Sequence, residues 1–352
     1  MARSVRQAGA APGENDASTY GSRARVGVRA GQPRGERVAG SAQAALTRDW
    51  DAPFPISVRL TLLVHKRGPG DPTLRIDDRG AIWRTSLTPD GPGTLRLARI
   101  WPADAEAAVT TIRASAWGDG AAWLLDTLPD LLGARDEPAA FRPAHPQLRD
   151  LVRQFPGLRI SRTARVLEAL VPAVLEQKVV SIEAHRAWRR LLTWHGLPAP
   201  GPAPAGMRVV PSAATWQAIP SWDWHRAGVE AVRARTIVNA ARVASRLEAI
   251  SSLPAADADR KLRSLPGIGP WTSAEIRQRA CGDADAVSVG DYHIPALVGW
   301  SLAGEVTDDA GMLALLAPYA GQRYRATRLI ELGVAGPPRR GPRMSVRDYR
   351  AI

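Results

Sequence analysis

The residues best able to do chemistry lie between Leu265 and Ile294. The segment Leu265-Pro-Gly-Ile-Gly-Pro-Trp-Thr272 sets Gly267 and Gly269 one residue apart. Two close glycines let the backbone turn sharply and take φ > 0. They also leave main-chain amides uncovered, and such amides at the start of a helix form an anion site. Pro270 suits the first helical position. A turn of this kind can grip a phosphate without reading a base; the plainer alternative is a structural turn. Downstream, Val287-Ser-Val-Gly-Asp-Tyr-His-Ile294 places Asp291 22 residues past Gly269, at the head of the next helix. Asp there is a favoured N-cap. The two roles are compatible, because the helix dipole keeps the carboxylate ionised. An ionised carboxylate is what an oxocarbenium-like sugar transition state needs nearby.

The surrounding pattern is helical. Apolar spacings of three and four predict helices over 162–177, 181–194 and 230–250. Shorter ones follow at 256–265, 271–281, 294–303, 310–317 and 322–332. The glycine-rich turn therefore joins two amphipathic helices, which makes a helix-hairpin-helix. Residues 51–140 differ. Ser57–Val64, Thr73–Ile76, Ala81–Leu87, Thr94–Ile100 and a run near Val109–Ala116 read as short strands between Gly/Pro/Asp turns. A helix over Gly120–Leu132 would cover such an antiparallel sheet. Trp83, Trp101, Trp117 and Trp123 fall here and are expected in the core. The expected division is a disordered basic tail over 1–50, an antiparallel α+β domain over 51–140, an all-α helix-hairpin-helix domain over 141–335 and a basic tail over 336–352.

Composition bounds the partners. Lys and Arg number 47 against 34 acids, a net charge of +13, which suits a polyanion. A GC-rich genome is the alternative source of this surplus, since the only lysines are Lys66, Lys178 and Lys261. Cys281 is the single cysteine, which excludes a disulfide framework, a multi-thiolate zinc site and a four-cysteine iron–sulfur cluster within this chain. No apolar run is long enough to span a bilayer and no signal-peptide core is visible. A cytoplasmic, nucleoid-associated monomer that binds no membrane is expected.

On these motifs, residues 145 to 333 resemble the helix-hairpin-helix DNA glycosylase superfamily. The carrying residues are the LPGIG hairpin, the Asp291-Tyr-His293 pattern and Leu175-Glu-Gln177-Lys-Val, similar to the L-x-Q motif of that superfamily. The antiparallel domain ahead of them is similar to the DNA-3-methyladenine glycosylase II branch. The resemblance implies double-stranded DNA with damaged bases as partner. It assigns Asp291 as the catalytic carboxylate. Gly267, Ile268, Gly269 and Thr272 would hold the DNA backbone, and Gln177 and Lys178 would wedge the duplex open. Trp271, Glu275, Tyr292 and Gln322 would line the base pocket. No cofactor is implied beyond a monovalent cation on the Leu265 and Ile268 carbonyls.

Two absences and three departures refine the resemblance. Relatives with lyase activity carry a lysine where this chain has Trp271, so base release without strand cleavage is expected. The cysteine count excludes the cluster of the endonuclease III branch. Glu275 and Gln322 stand where alkylation-specific relatives can have aromatics, and Lys178 stands where the wedge is often apolar. Glu275 is either a specific hydrogen-bond acceptor or a solvent-facing helix residue. The expected function is a monofunctional glycosylase for an alkylated base. A non-catalytic damage sensor and a glycosylase for oxidised or deaminated bases are the alternatives.

Overall fold

The computed structural model describes residues 45–100 and 110–338. The expected N-terminal tail up to residue 44, the C-terminal tail from 339, and Trp101 and Val109 lie outside the described residues. Five strands form an antiparallel sheet: β1 (Leu46–Ala52), β2 (Leu74–Ile76), β3 (Ile82–Thr88), β4 (Gly91–Ile100) and β5 (Thr110–Trp117), in the order β1-β5-β4-β3-β2. Thr88 pairs with Gly91, so Pro89-Asp90 is a two-residue hairpin turn. Strand β1 crosses the expected tail boundary at 50 and pairs with β5 from Leu46↔Ala116 to Ala52↔Thr110. Ser57–Val64, expected as a strand, is instead helix α1 (Val58–Leu62) running into a 3-10 turn. Ser57 caps it by accepting from the Leu60 amide at 3.4 Å. A short apolar run fits either conformation by pattern alone; here the cap decides.

Helices α2 (Ala121–Asp126) and α3 (Leu128–Leu131) cover one sheet face, closing a core of Leu74, Ile82, Leu95, Leu97, Ile112 and Leu124. On another face Trp83 and Trp117 stack at 5.5 Å over Met207. Met207 lies beside a two-stranded ribbon of β6 (Leu197–Pro198) and β7 (Arg208–Val209).

The helical part is built from α4 (Pro146–Gln154), α5 (Val166–Leu175), α6 (Ser181–His195), α7 (Ala213–Ala218), α8 (Ser221–Ala227), α9 (Ala231–Arg242), α10 (Ala244–Glu248), α11 (Ala255–Arg263), α12 (Pro270–Ile276), α13 (Ile294–Ala303), α14 (Asp309–Leu316) and α15 (Arg323–Gly333). Helix α5 is apolar on nearly every side, which marks a central helix. Its Val166, Leu170 and Val174 pack with Trp188, Trp216, Ile237, Leu262 and Ile276. The helix expected over 230–250 breaks at Val243. Beyond the break, Glu248 accepts from the Val166 and Leu167 amides at 2.7 and 3.2 Å, satisfying the exposed start of α5. A second apolar cluster joins α4, α13, α14 and α15 through Leu148, Leu151, Val298, Met312, Leu316 and Ile330.

Polar contacts tie the sheet to α5. Arg84 pairs with Glu168, Ser86 Oγ donates to Glu168 at 2.6 Å, and Arg67 pairs with Glu176 at 2.9 Å. The architecture is α+β, a helical assembly preceded by an antiparallel sheet. Among the described residues, no helix is long and apolar enough to cross a membrane.

Candidate DNA-binding and active site

Helices α11 and α12 meet at the predicted hairpin. The Ile268 amide donates to the Leu265 carbonyl at 3.1 Å and closes the turn. Gly267 sits at φ +88°, in the left-handed region that disfavours side chains. A Cβ there would come within 2.3 Å of Thr236 Oγ1 on α9, so both conformation and space require glycine. Gly269 differs from the expectation. It is extended, at φ −91° and ψ −176°, and a Cβ on it would meet nothing within 4 Å. No neighbour within the fold demands glycine at 269, and what it leaves open is its own outer surface. The Ile268 and Thr272 side chains are buried, so the hairpin turns main chain outward and apolar groups inward.

Asp291, the candidate catalyst, lies two residues before His293, the N-cap of α13 (Ile294–Ala303). Its Oδ1 accepts from the His293 and Ile294 amides at 2.7 and 3.0 Å, at the head of α13. Its Oδ2 accepts from the indole Nε1–H of Trp271 at 2.9 Å. The loop that carries it is braced on both sides. The Asp291 amide donates to the Ser288 carbonyl at 3.2 Å, and the Gly290 amide donates to both Asp309 oxygens at 3.0 and 3.1 Å. Trp271 is half-buried, in the first turn of α12.

Glu275, one turn along α12 from Trp271, is buried rather than solvent-facing. Its Oε1 accepts from Ser288 Oγ at 2.7 Å and its Oε2 pairs with Arg279 at 2.7 Å. Gln278 Nε2 in turn donates to Ser288 Oγ and to the Ala286 carbonyl, both at 2.9 Å. Burial works against the Arg279 charge, but Glu275 together with Tyr324, Glu176 and Glu331 outweighs it, so the Arg279 pKa is raised. Sequence reasoning missed Ser288, Gln278 and Arg279. The available signal was the Glu275 to Arg279 spacing, which places both on one helix face.

The other expected pocket residues stand apart from this cluster. Tyr292 is 81% exposed, and its ring packs edge-on against His293 at 4.8 Å. Gln322 turns its polar atoms to Arg325 Nε at 2.7 Å and to the Glu137 carbonyl at 3.4 Å, not to Trp271 or Asp291. It belongs to a joint around the buried Arg325–Asp136 pair. Tyr324, two residues on, is buried, and burial pushes its phenol up to about 12.

The expected wedge residues behave differently from each other. Gln177 Nε2 donates to the Gly267 carbonyl at 2.9 Å and to Thr272 Oγ1 at 2.8 Å. It therefore locks the loop after α5 onto the hairpin. Lys178 is exposed with φ +56°, a conformation that costs an L-residue about 1–2 kcal/mol. The preceding Glu176 pairs with Arg67 and lies 3.5 Å from His185. Burial opposes its charge, yet Arg67 and His185 hold its carboxyl down to about 2. The strained tip at Lys178 thus rises from a firmly anchored base. Among the described residues, no group of three or more His, Cys, Asp or Glu is placed to hold a metal ion.

No family model matches the sequence. A stretch of 152 residues is 36% identical to the probable bifunctional transcriptional activator/DNA repair enzyme AlkA of Mycobacterium tuberculosis, covering 42% of this chain and 30% of that protein. The match thus spans under a third of the curated relative's length. In structure, the chain is similar to a 3-methyladenine DNA-glycosylase from Archaeoglobus fulgidus, with TM-score 0.66, 16% identity, and 81% and 97% of the two chains covered. It is also similar to a Clostridium acetobutylicum 8-oxoguanine glycosylase/lyase solved in complex with double-stranded DNA, with TM-score 0.58, 12% identity, and 82% and 97% covered. The chain shares the fold of these two solved DNA glycosylases, and a stretch of it is similar in sequence to AlkA.

Proposed function

We propose that this chain is a base-excision DNA glycosylase that turns an alkylated base out of duplex DNA and hydrolyses its N-glycosidic bond. The observation that carries this is Asp291, a half-buried carboxylate fixed by two main-chain amides and an indole beside the hairpin. Such a carboxylate can stabilise the positive charge that develops on deoxyribose and orient the attacking water. The outward main chain of Gly267 to Gly269 would receive a phosphate. Lys178 would enter the duplex from the loop that Gln177 pins to the hairpin, its alkyl stem filling the gap and its ammonium reaching a phosphate. An electron-poor alkylated base would lie against the Trp271 ring.

The substrate reading rests on what α12 offers. The Trp271 N–H is committed to Asp291, and both Glu275 oxygens are committed to Ser288 and Arg279. That face is therefore suited to stacking rather than to reading base edges, which supports an alkylated base over an oxidised or deaminated one. An already cationic base also needs little protonation to leave, which suits a site that relies on the Asp291 carboxylate alone. Trp271 in place of an amine nucleophile supports hydrolysis without strand cleavage. The carbonyls of Leu265 and Ile268 are neutral hard oxygens, the donor type a monovalent cation takes. The Leu265 oxygen keeps a second lone pair beside its bond from Ile268. A cation held there would strengthen the phosphate grip. The test is release of alkylated purine from a duplex by wild type and by Asp291→Asn; equal release by both overturns the assignment.

A further inference from the structure

A carboxylate held through one oxygen still turns about its last bond, because that torsion is broad and soft. Asp291 is held through Oδ1 by the His293 and Ile294 amides, and α13 therefore fixes where the group sits but not its plane. The plane is set by the second oxygen, which accepts from Trp271 Nε1–H at 2.9 Å. That indole stands on the first turn of α12, directly after Gly269 and Pro270. It is half-buried, and the turn beneath it is fixed by the buried Thr272, which Gln177 holds at 2.8 Å.

We propose that Trp271 is a positioning residue for Asp291: its indole N–H locks the carboxylate plane and couples that plane to the hairpin and to the Gln177 loop. Three donors then converge on the carboxylate. The N–H is spent on Asp291, so the ring offers a base only its faces. Shifts of the hairpin on DNA are passed to the carboxylate through one rigid side chain. The kinetic part of this inference rests on the proposed glycosylase activity; the bond itself does not.

The experiment uses the full chain and the variants Trp271→Phe, Asp291→Asn and their double. In a proton–nitrogen spectrum the Trp271 indole resonance is identified by its loss in W271F. It is expected to move upfield in D291N, because a neutral amide is a weaker acceptor than a carboxylate. An unmoved resonance overturns the proposal, whatever the protein acts on. In single-turnover base release, W271F keeps an aromatic ring, smaller than the indole, and loses the N–H, and a slowing of about 10- to 100-fold is expected. Its affinity for an abasic-site duplex should stay within about threefold of wild type. In the D291N background, where the N–H has no carboxylate to hold, the same change should leave affinity for the abasic-site duplex as it is in D291N alone. Wild-type release by W271F overturns the proposal. A wild-type chain that releases no base refutes the glycosylase reading instead, while the spectrum still decides the bond.

Discussion

Glu275→Gln separates a structural carboxylate from one that reads a base. The side chains of Glu275 and Arg279 are 10% and 11% exposed and meet at 2.7 Å. Removing one member of such a buried pair leaves the other charge uncompensated, which costs about 3–5 kcal/mol. Gln keeps an oxygen for Ser288 Oγ, and Arg279 keeps its bonds to the Glu275 carbonyl at 3.0 Å and to the Val64 carbonyl at 3.4 Å. The lower end, about 3 kcal/mol, is therefore expected, or a fall in Tm of about 6–12 °C at the 2–4 °C per kcal/mol of larger domains. Urea and thermal unfolding of E275Q beside wild type measure this, with base preference assayed on the same samples. A variant within about 0.5 kcal/mol of wild type that has switched its preferred base would refute the reasoning. The carboxylate would then be a base acceptor and the Arg279 pair incidental.

Further predictions concern the hairpin and pH. Gly267→Ala must adopt φ +88° and push against Thr236, so a loss of about 1–3 kcal/mol in urea unfolding is expected. Gly269→Ala meets nothing within 4 Å at a permitted φ, so it should unfold like wild type yet bind duplex DNA more weakly in a titration. Equal affinity would mean that no ligand approaches Gly269. On acidification, Glu176 titrates near 2 in the fold against an ordinary 4.5, so its contribution is present above about 4.5 and lost as pH falls toward 2. His65 is held well below 6.5, first by burial and then by Arg84 and Arg279. The unfolded chain thus takes up that proton first, and stability falls as pH drops below about 6.5. Each group adds a slope of at most about 1.4 kcal/mol per pH unit. Urea unfolding from pH 7 to pH 3 should show this decline, and Glu176→Gln should flatten only its lower part.

What was legible in the sequence was local. Gly267, Pro270 and Asp291 act within a few residues of themselves: the first two keep the turn and the first helical position, while Asp291 falls two residues before the N-cap His293 and still accepts the first amides of α13. The Trp83–Trp117 pair was legible as core because its bulk leaves few other places. What failed to show depends on partners far along the chain. Glu275 reads as either a hydrogen-bond acceptor for a ligand or a solvent-facing residue until Ser288, 13 residues away, folds onto it. Gln177 reads as a free wedge until the Gly267 carbonyl, 90 residues away, receives it. Gln322 reads as a pocket residue until Arg325 draws it toward Asp136 and Glu137. Strand β1 carries Arg48, Asp49 and Asp51, an edge-strand composition that reads as tail until β5 pairs with it.

The central claim is that Asp291 drives hydrolysis of a damaged-base bond. Its most direct measurement is single-turnover base release from a duplex carrying an alkylated purine, with hypoxanthine and 8-oxoguanine duplexes alongside and alkali used to reveal abasic sites. Wild type is expected to release the alkylated base, with strand breaks only after alkali, and Asp291→Asn to bind the duplex but release nothing. Binding without release of any base by the wild-type chain, or undiminished release by Asp291→Asn, would contradict it.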